Sequence, residues 1–139
     1  VDFDNDSVGT SLQCCEALGD RLWGVRLDTS ETLVDKSIIP VMQNFKPVGL
    51  TPRLVEMTRH TLDRHGYGHV KIIVSGGFNP DRITDFEKRQ IPVDAYGIGS
   101  YLMRGVNAFT ADIVLLEGKP CAKVGREYNP NSRLELVVP

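Results

Sequence analysis

The chain has 139 residues, 41% of them hydrophobic, and 18 acidic residues against 16 Lys and Arg give a formal net charge of −2. That composition suits one soluble globular domain with a real core, and a charge so near balance, with no basic stripe, excludes non-specific binding to nucleic acid or to an acidic membrane. No apolar run approaches the roughly eighteen residues that span a bilayer, and the opening VDFDND has neither an initiator Met nor a basic-then-apolar leader, so no secretory signal is expected.

In chain order, VDFD (1–4) reads as the tail of a strand, and Asp6 or Ser7 caps a helix to about Leu18. Val8, Leu12, Cys15 and Leu18 fall at helical spacing, and Gly19 ends the helix. LWGVRL (22–27) is a second strand, with Trp23 read as core. After a longer connection, Thr51-Pro52 supply the N-cap and first position of a helix to Gly66, with Leu54, Thr58 and Leu62 on one face. VKIIVS (70–75) is the third strand, Pro80 to about Arg89 a short helix, and VDAYGIG (93–99) the fourth strand.

Alternating strands and helices predict a parallel sheet. Two of the strand-to-strand repeats are only about 22 residues, the tight unit of a (β/α)8-type barrel, which a doubly wound sheet also permits. Beyond Gly99 the pattern changes: ADIVLLEGKPCAKVGREY (111–128) reads as a hairpin with an apolar strand, a Glu-Gly-Lys-Pro turn and an alternating strand. The expected fold class is therefore α/β, part of a barrel of parallel strands over 1–108, followed by a C-terminal β-hairpin segment over 109–139 that belongs to a β-rich subdomain. Four strands cannot close a barrel, and the first residue falls inside a strand. The chain is accordingly expected to be the C-terminal portion of a longer protein, a complete small α/β domain being the alternative.

The chemistry concentrates at strand ends. In KIIVSGGFNP (71–80), Gly76 and Gly77 let backbone approach a ligand closely, and the helix that starts at Asn79-Pro80 adds its partial positive charge. Gly97, Gly99 and Ser100 offer a second donor-rich loop. Two successive loops of this kind suit phosphate; tight turns are the plain structural alternative. Arg26 and Asp28 share a strand face at a strand end, as an anion-holding cation and a hydroxyl- or metal-binding acid, or as a structural salt bridge. Asp2 and Asp4 share a face of the opening segment and could help bind a hydrated divalent cation, or merely cap a helix. His60, His65 and His69 read as surface residues. Cys14, Cys15 and Cys121 form neither a disulfide framework nor a zinc spacing; as small buried hydrophobes, odd in number, they fit a reducing cytoplasm.

VRLDT (25–29), IIVSGGFNPDRI (72–83), VDAYGIGSYL (93–102) and GKPCAKVGREY (118–128) together resemble the nicotinate phosphoribosyltransferase family, in its C-terminal part. The resemblance implies a distorted α/β barrel beside a β-rich domain. The implied reaction joins nicotinate to phosphoribosyl pyrophosphate, giving nicotinate mononucleotide and pyrophosphate, with ATP as co-substrate and Mg2+ required. It places Gly76 and Gly77 on a first phosphate loop and Gly99 with Ser100 on a second. Arg26 falls near the base and phosphoribosyl group, Asp28 at the ribose hydroxyls, and Asp4 near the metal, through water. It also implies a cytoplasmic enzyme, dimeric at full length, with no nucleic-acid or membrane partner.

Thr29-Ser30 depart from the Ser-Gly that commonly follows the family's Arg-x-Asp. Nothing in the sequence matches the family's phosphorylatable histidine or base-stacking aromatic, so the isolated chain is expected to be inactive. A quinolinate- or nicotinamide-specific relative, a barrel isomerase or aldolase acting on a phosphorylated sugar, and a non-catalytic phosphate-binding fragment are the other readings.

Overall fold

In the computed structural model, which describes residues 1, 3–105 and 111–133, helix α1 spans Ser7–Leu18. Asp6 caps it, its carboxylate accepting the Gly9 N–H at 3.0 Å. The inward face differs from the expected one. Ser7, Ser11 and Cys15 are buried, whereas Leu18 is exposed and Val8 and Leu12 are only half-buried. Small side chains let α1 lie close against helix α2 (Pro52–Arg64). The Ser11 hydroxyl donates to the Ser7 carbonyl at 2.6 Å, so it enters that contact already satisfied.

Helix α2 starts as expected, with the Thr51 hydroxyl accepting the Leu54 N–H at 3.2 Å and Pro52 at the first position. It buries Leu54, Val55, Thr58 and Leu62. Helix α3 (Pro80–Lys88) begins at Asn79, whose side chain accepts the Arg82 N–H at 2.8 Å, and it buries Phe86.

Strands β1 (Gly24–Leu27), β2 (Lys71–Val74) and β3 (Ala95–Tyr96) form a sheet in the order β1-β2-β3, both pairs parallel. Val25 pairs with Ile72, Leu27 with Val74, and Val74 with Tyr96. Strand β3 is shorter than the expected 93–99, although Asp94 N–H to Ile72 O (2.9 Å) and Gly97 N–H to Val74 O (2.7 Å) extend the backbone pairing at both ends. Alternation along the strands puts Val25, Leu27, Ile72 and Val74 into one cluster with Leu54, Val55, Leu62, Phe78 and Phe86. The opposite face carries Arg26 and Ile73 and stays open or half-covered.

Three expectations are corrected here. Residues 3 and 4 form a turn rather than a strand tail, and Asn5 follows at φ 53, a conformation that no strand continues. The contact with the sheet is instead made by the Val1 nitrogen, which donates to the Arg26 carbonyl at 3.0 Å. Trp23 is 68% exposed: its carbonyl accepts the Lys71 N–H, but it stands before the first residue of β1, where no described element covers its ring. The parallel sheet has three strands within the described residues instead of the four expected.

The chain divides into two compact units, Val1–Gly105 and Val106–Pro139. In the second, β4 (Leu115–Leu116) pairs antiparallel with β5 (Lys119–Pro120) around a two-residue turn. Glu117 and Gly118 both have positive φ (51 and 77), as such tight hairpins require. Lys119 and Pro120 therefore belong to the second strand rather than the turn, and the hairpin is shorter than the expected 111–128. Among the described residues, no helix is long and apolar enough to cross a membrane.

At the N-terminal end of β2, the Asp94 carboxylate accepts the Ile72 N–H at 2.8 Å and pairs with the Lys71 ammonium at 3.0 Å. Partial burial alone would raise its pKa; the Ile72 N–H and the Lys71 charge more than reverse this, leaving it below the usual carboxylate value. A depressed carboxylate stabilises the fold above the ordinary pKa of about 4, and that contribution is lost as pH falls through the lower folded value. Asp94→Asn should thus lower the urea midpoint at pH 7 and leave it nearly unchanged in strong acid; an equal loss at both would show that the charge is not involved.

The small-residue face of α1 makes a second prediction. Ser11→Leu should destabilise by about 1–3 kcal/mol through overpacking, whereas Leu12→Ala should cost no more than about 1 kcal/mol. Urea unfolding of both variants measures the ranking, and the reverse order would restore the Val8, Leu12 and Leu18 face.

Candidate functional site

Because β1, β2 and β3 run parallel and in register, their C-terminal ends lie level, and the following loops converge. Arg26, Asp28, Ser75, Gly76, Gly77, Phe78, Gly97, Ile98, Gly99 and Ser100 line one cleft of about 500 Å3. Seven of the residues singled out from the sequence thus meet: Arg26, Asp28, Gly76, Gly77, Gly97, Gly99 and Ser100. Asp4 does not join them. It sits exposed in the turn before α1 and lines no part of the cleft, and Asp2 lies outside the described residues. His60, His65 and His69 are exposed on α2 and its exit, also away from the cleft. A larger cleft, about 780 Å3 beside the start of α2, gathers Lys46, Arg53 and Arg89 but none of the residues selected for chemistry.

The diglycine turn needs glycine for two reasons. Gly76 and Gly77 have φ of 88 and 66, where other residues are strained. A carboxylate also stands over each: a Cβ on Gly76 would lie 2.7 Å from Asp28 Oδ1, and one on Gly77 would collide with Glu31 Oε1. Gly97 lacks positive φ but is packed so that a Cβ would meet the Ser75 Cβ at 2.9 Å. Gly99 faces open space. Phe78 anchors the turn from below, buried edge-on to Phe86 at 5.1 Å and tilted against Tyr96 at 5.4 Å. Burial, and then the Glu87 carboxylate that accepts the Tyr96 hydroxyl at 2.6 Å, push the Tyr96 phenol pKa upward, so this end of the packing stays neutral.

Donors dominate the rim. Among the described residues, the backbone N–H groups of Gly76, Gly77, Gly99 and Ser100 donate to no acceptor, and the Ser100 hydroxyl has no partner either. Arg26 Nη1 lies 3.5 Å from Asp28 Oδ2, with 61% of the arginine side chain exposed. An ion pair that open contributes about 0–1 kcal/mol, too little to be what fixes these strand ends. Thr29 is buried, with its hydroxyl 3.5 Å from that of Ser7. It braces α1 rather than facing the cleft.

Sequence reasoning missed Ser75, Glu31 and Arg82. Ser75 is 8% exposed and its hydroxyl is the one buried side-chain polar atom without a partner among the described residues. Its signal was present: a Ser directly before two glycines at a strand end. Glu31 had none, since its approach to Gly77 depends on how the connection after β1 folds back.

The fold is α/β, with its candidate cleft at the carboxyl ends of the parallel strands, where open sheets of this kind commonly place a ligand. No family model matches the chain. It is, however, similar to a nicotinate phosphoribosyltransferase of Mycobacterium tuberculosis, in both strain CDC 1551 / Oshkosh and strain ATCC 25618 / H37Rv, at 34% identity over 89 residues. That match covers 60% of this chain and 19% of the relative, so the chain spans about a fifth of the length of the curated relatives it matches. Its fold is similar to the crystal structure of nicotinate-nucleotide pyrophosphorylase from Pyrococcus furiosus, with a TM-score of 0.53 and 34% identity over 88% of this chain and 27% of that one. The resemblance read from the motifs is thus borne out in both sequence and structure.

The orphaned hydroxyl supplies a test. A buried hydroxyl without a partner is a cost to the ligand-free fold, so Ser75→Ala should leave unfolding free energy unchanged or raise it by up to about 1 kcal/mol. A loss of more than about 1 kcal/mol in chemical denaturation would mean that the hydroxyl is bonded within the fold.

Proposed function

We propose that this chain carries the phosphate-binding part of a nicotinate phosphoribosyltransferase site, in a protein that makes nicotinate mononucleotide and pyrophosphate from nicotinate and phosphoribosyl pyrophosphate. The observation that carries the reading is the convergence of Arg26, Asp28, the diglycine turn and the Gly99-Ser100 loop on one cleft. The similarity to relatives named for nicotinate-nucleotide chemistry supports it.

In this reading the unpaired N–H groups of Gly76, Gly77, Gly99 and Ser100 hold phosphate oxygens, aided by the start of α3. The Asp28 carboxylate accepts ribose hydroxyls, and Arg26 holds an anionic group of base or phosphoribosyl. The ring nitrogen of nicotinate forms its bond to C1 of the ribose as the bond from C1 to pyrophosphate breaks, the electron pair leaving with pyrophosphate. Positive charge builds on the ribose in between, so the protein's contribution is to position the reactants and match that charge.

The acidic side chains at the turn bear on Mg2+. Asp28 over Gly76 and Glu31 over Gly77 would repel a bare polyanion. No group of three or more metal-ligating side chains gathers among the described residues, but Mg2+ is typically held by one or two carboxylates together with substrate phosphates. Asp28, which lines the cleft, fits that role; Asp4 does not, nor does Glu31, which stands over Gly77 but lines a neighbouring pocket with Arg82, and the ion when bound would neutralise charge on the leaving pyrophosphate. ATP assistance belongs to the same reading, and no histidine of this chain lines the cleft to take part in it.

The test uses the intact protein that contains this chain. Product formation from nicotinate, quinolinate and nicotinamide is compared at saturating phosphoribosyl pyrophosphate, and turnover of quinolinate alone would overturn the assignment. Arg26→Ala should lose about 3 kcal/mol of transition-state stabilisation in kcat/KM with little change in Tm. Gly99→Ala is the cleanest steric probe, because the fold leaves its Cβ free. It should weaken phosphoribosyl pyrophosphate more than nicotinate while leaving stability within about 0.5 kcal/mol. Unchanged affinity would make this loop only a turn.

A further inference from the structure

Arg82 stands on the first turn of α3, and its guanidinium reaches back to two carbonyls. Nη1 donates to the Gly76 oxygen and Nη2 to the Leu50 oxygen, both at 2.6 Å. Its Cζ lies 4.3 Å from the centroid of the buried Phe78 ring and 5.9 Å from that of Phe86. Two short charge-assisted bonds and a cation–π contact hold the group in one place. Its backbone N–H is fixed as well, by the Asn79 cap.

The peptide this arginine grips is the least constrained kind a chain can contain. With glycine on both sides, it can rotate to exchange its carbonyl and N–H at small steric cost. Only one of the two orientations suits an anion. When the Gly76 carbonyl meets Arg82, the trans geometry of the peptide points the Gly77 N–H the opposite way. In the exchanged orientation the carbonyl oxygen would occupy that side and repel the anion. The observed state is the first: Gly76 O is held by Arg82, and Gly77 N–H donates to nothing among the described residues.

We propose that Arg82 is a positioning residue that locks the Gly76–Gly77 peptide with its N–H turned from α3 toward the cleft, and that the anion affinity of the turn depends on this lock. The inference rests on the phosphate-binding reading of the cleft. It assigns Arg82 no contact with substrate; the residue acts through the backbone of Gly76.

The experiment titrates inorganic pyrophosphate, phosphoribosyl pyrophosphate and nicotinate calorimetrically into the intact protein and two variants, with the folded fraction of each taken from chemical denaturation. Arg82→Met keeps an apolar stem against Phe78 but removes both donors; Arg82→Lys keeps the charge and can serve one carbonyl. Arg82→Met should weaken both phosphate ligands by about 10- to 100-fold and nicotinate by no more than about twofold. Arg82→Lys should recover part of the loss. Equal weakening of all three ligands would reduce Arg82 to general support of the fold, and unchanged pyrophosphate affinity would remove the lock altogether. If Arg82→Met does not fold, Arg82→Leu, which likewise lacks both donors, takes its place, and wild-type pyrophosphate affinity there overturns the proposal. A wild-type protein that binds neither phosphate ligand would instead overturn the reading of the cleft, and this inference with it.

Discussion

The register of three parallel strands is the constraint on which the rest of the structure depends. Val25 opposite Ile72 and Val74 opposite Tyr96 put the ends of β1, β2 and β3 at one level. A slip of one residue would turn Val25, Leu27, Ile72 and Val74 out of the cluster they share with α2 and α3. The core therefore enforces the alignment, and the alignment delivers Asp28, Gly76 and Gly99 to a common edge.

Charge at this edge is balanced. Donor-rich turns and Arg26 favour an anion, while Asp28 and Glu31 stand close enough to the diglycine to oppose one. On the proposed reading, such a site would favour a phosphate accompanied by a cation over a bare one, because Asp28 would change from repulsive to useful when the cation arrives. Arg82 lies behind the turn. Burial lowers its pKa and Glu31 opposes that, yet a guanidinium remains a cation at any physiological pH.

What the sequence made legible was local. The Thr51-Pro52 and Asn79-Pro80 starts, the inward face of α2 and the glycine pair each depend on a few neighbouring residues, and each is found where expected. What it hid depends on distance between elements. The face of α1 followed from how closely α2 approaches, which favoured Ser7 and Ser11 over larger apolar neighbours. Trp23 is apolar and stands next to a strand, but burial also needs something to cover it. The expected strand at 1–4 failed at Asn5, whose left-handed backbone turns the chain instead. Arg82 could not be paired from sequence, since one of its two carbonyls lies 32 residues away.

The bond to Leu50 has a consequence of its own. Leu50 ends the long connection after β1, immediately before the Thr51 cap of α2, so one guanidinium ties the start of a helix to the turn at a different strand end. Two carbonyls bound by separate nitrogens of one guanidinium are thermodynamically linked: whatever tightens one favours the other, and the linkage runs equally in both directions. The front of α2 and the diglycine turn are therefore coupled through one side chain.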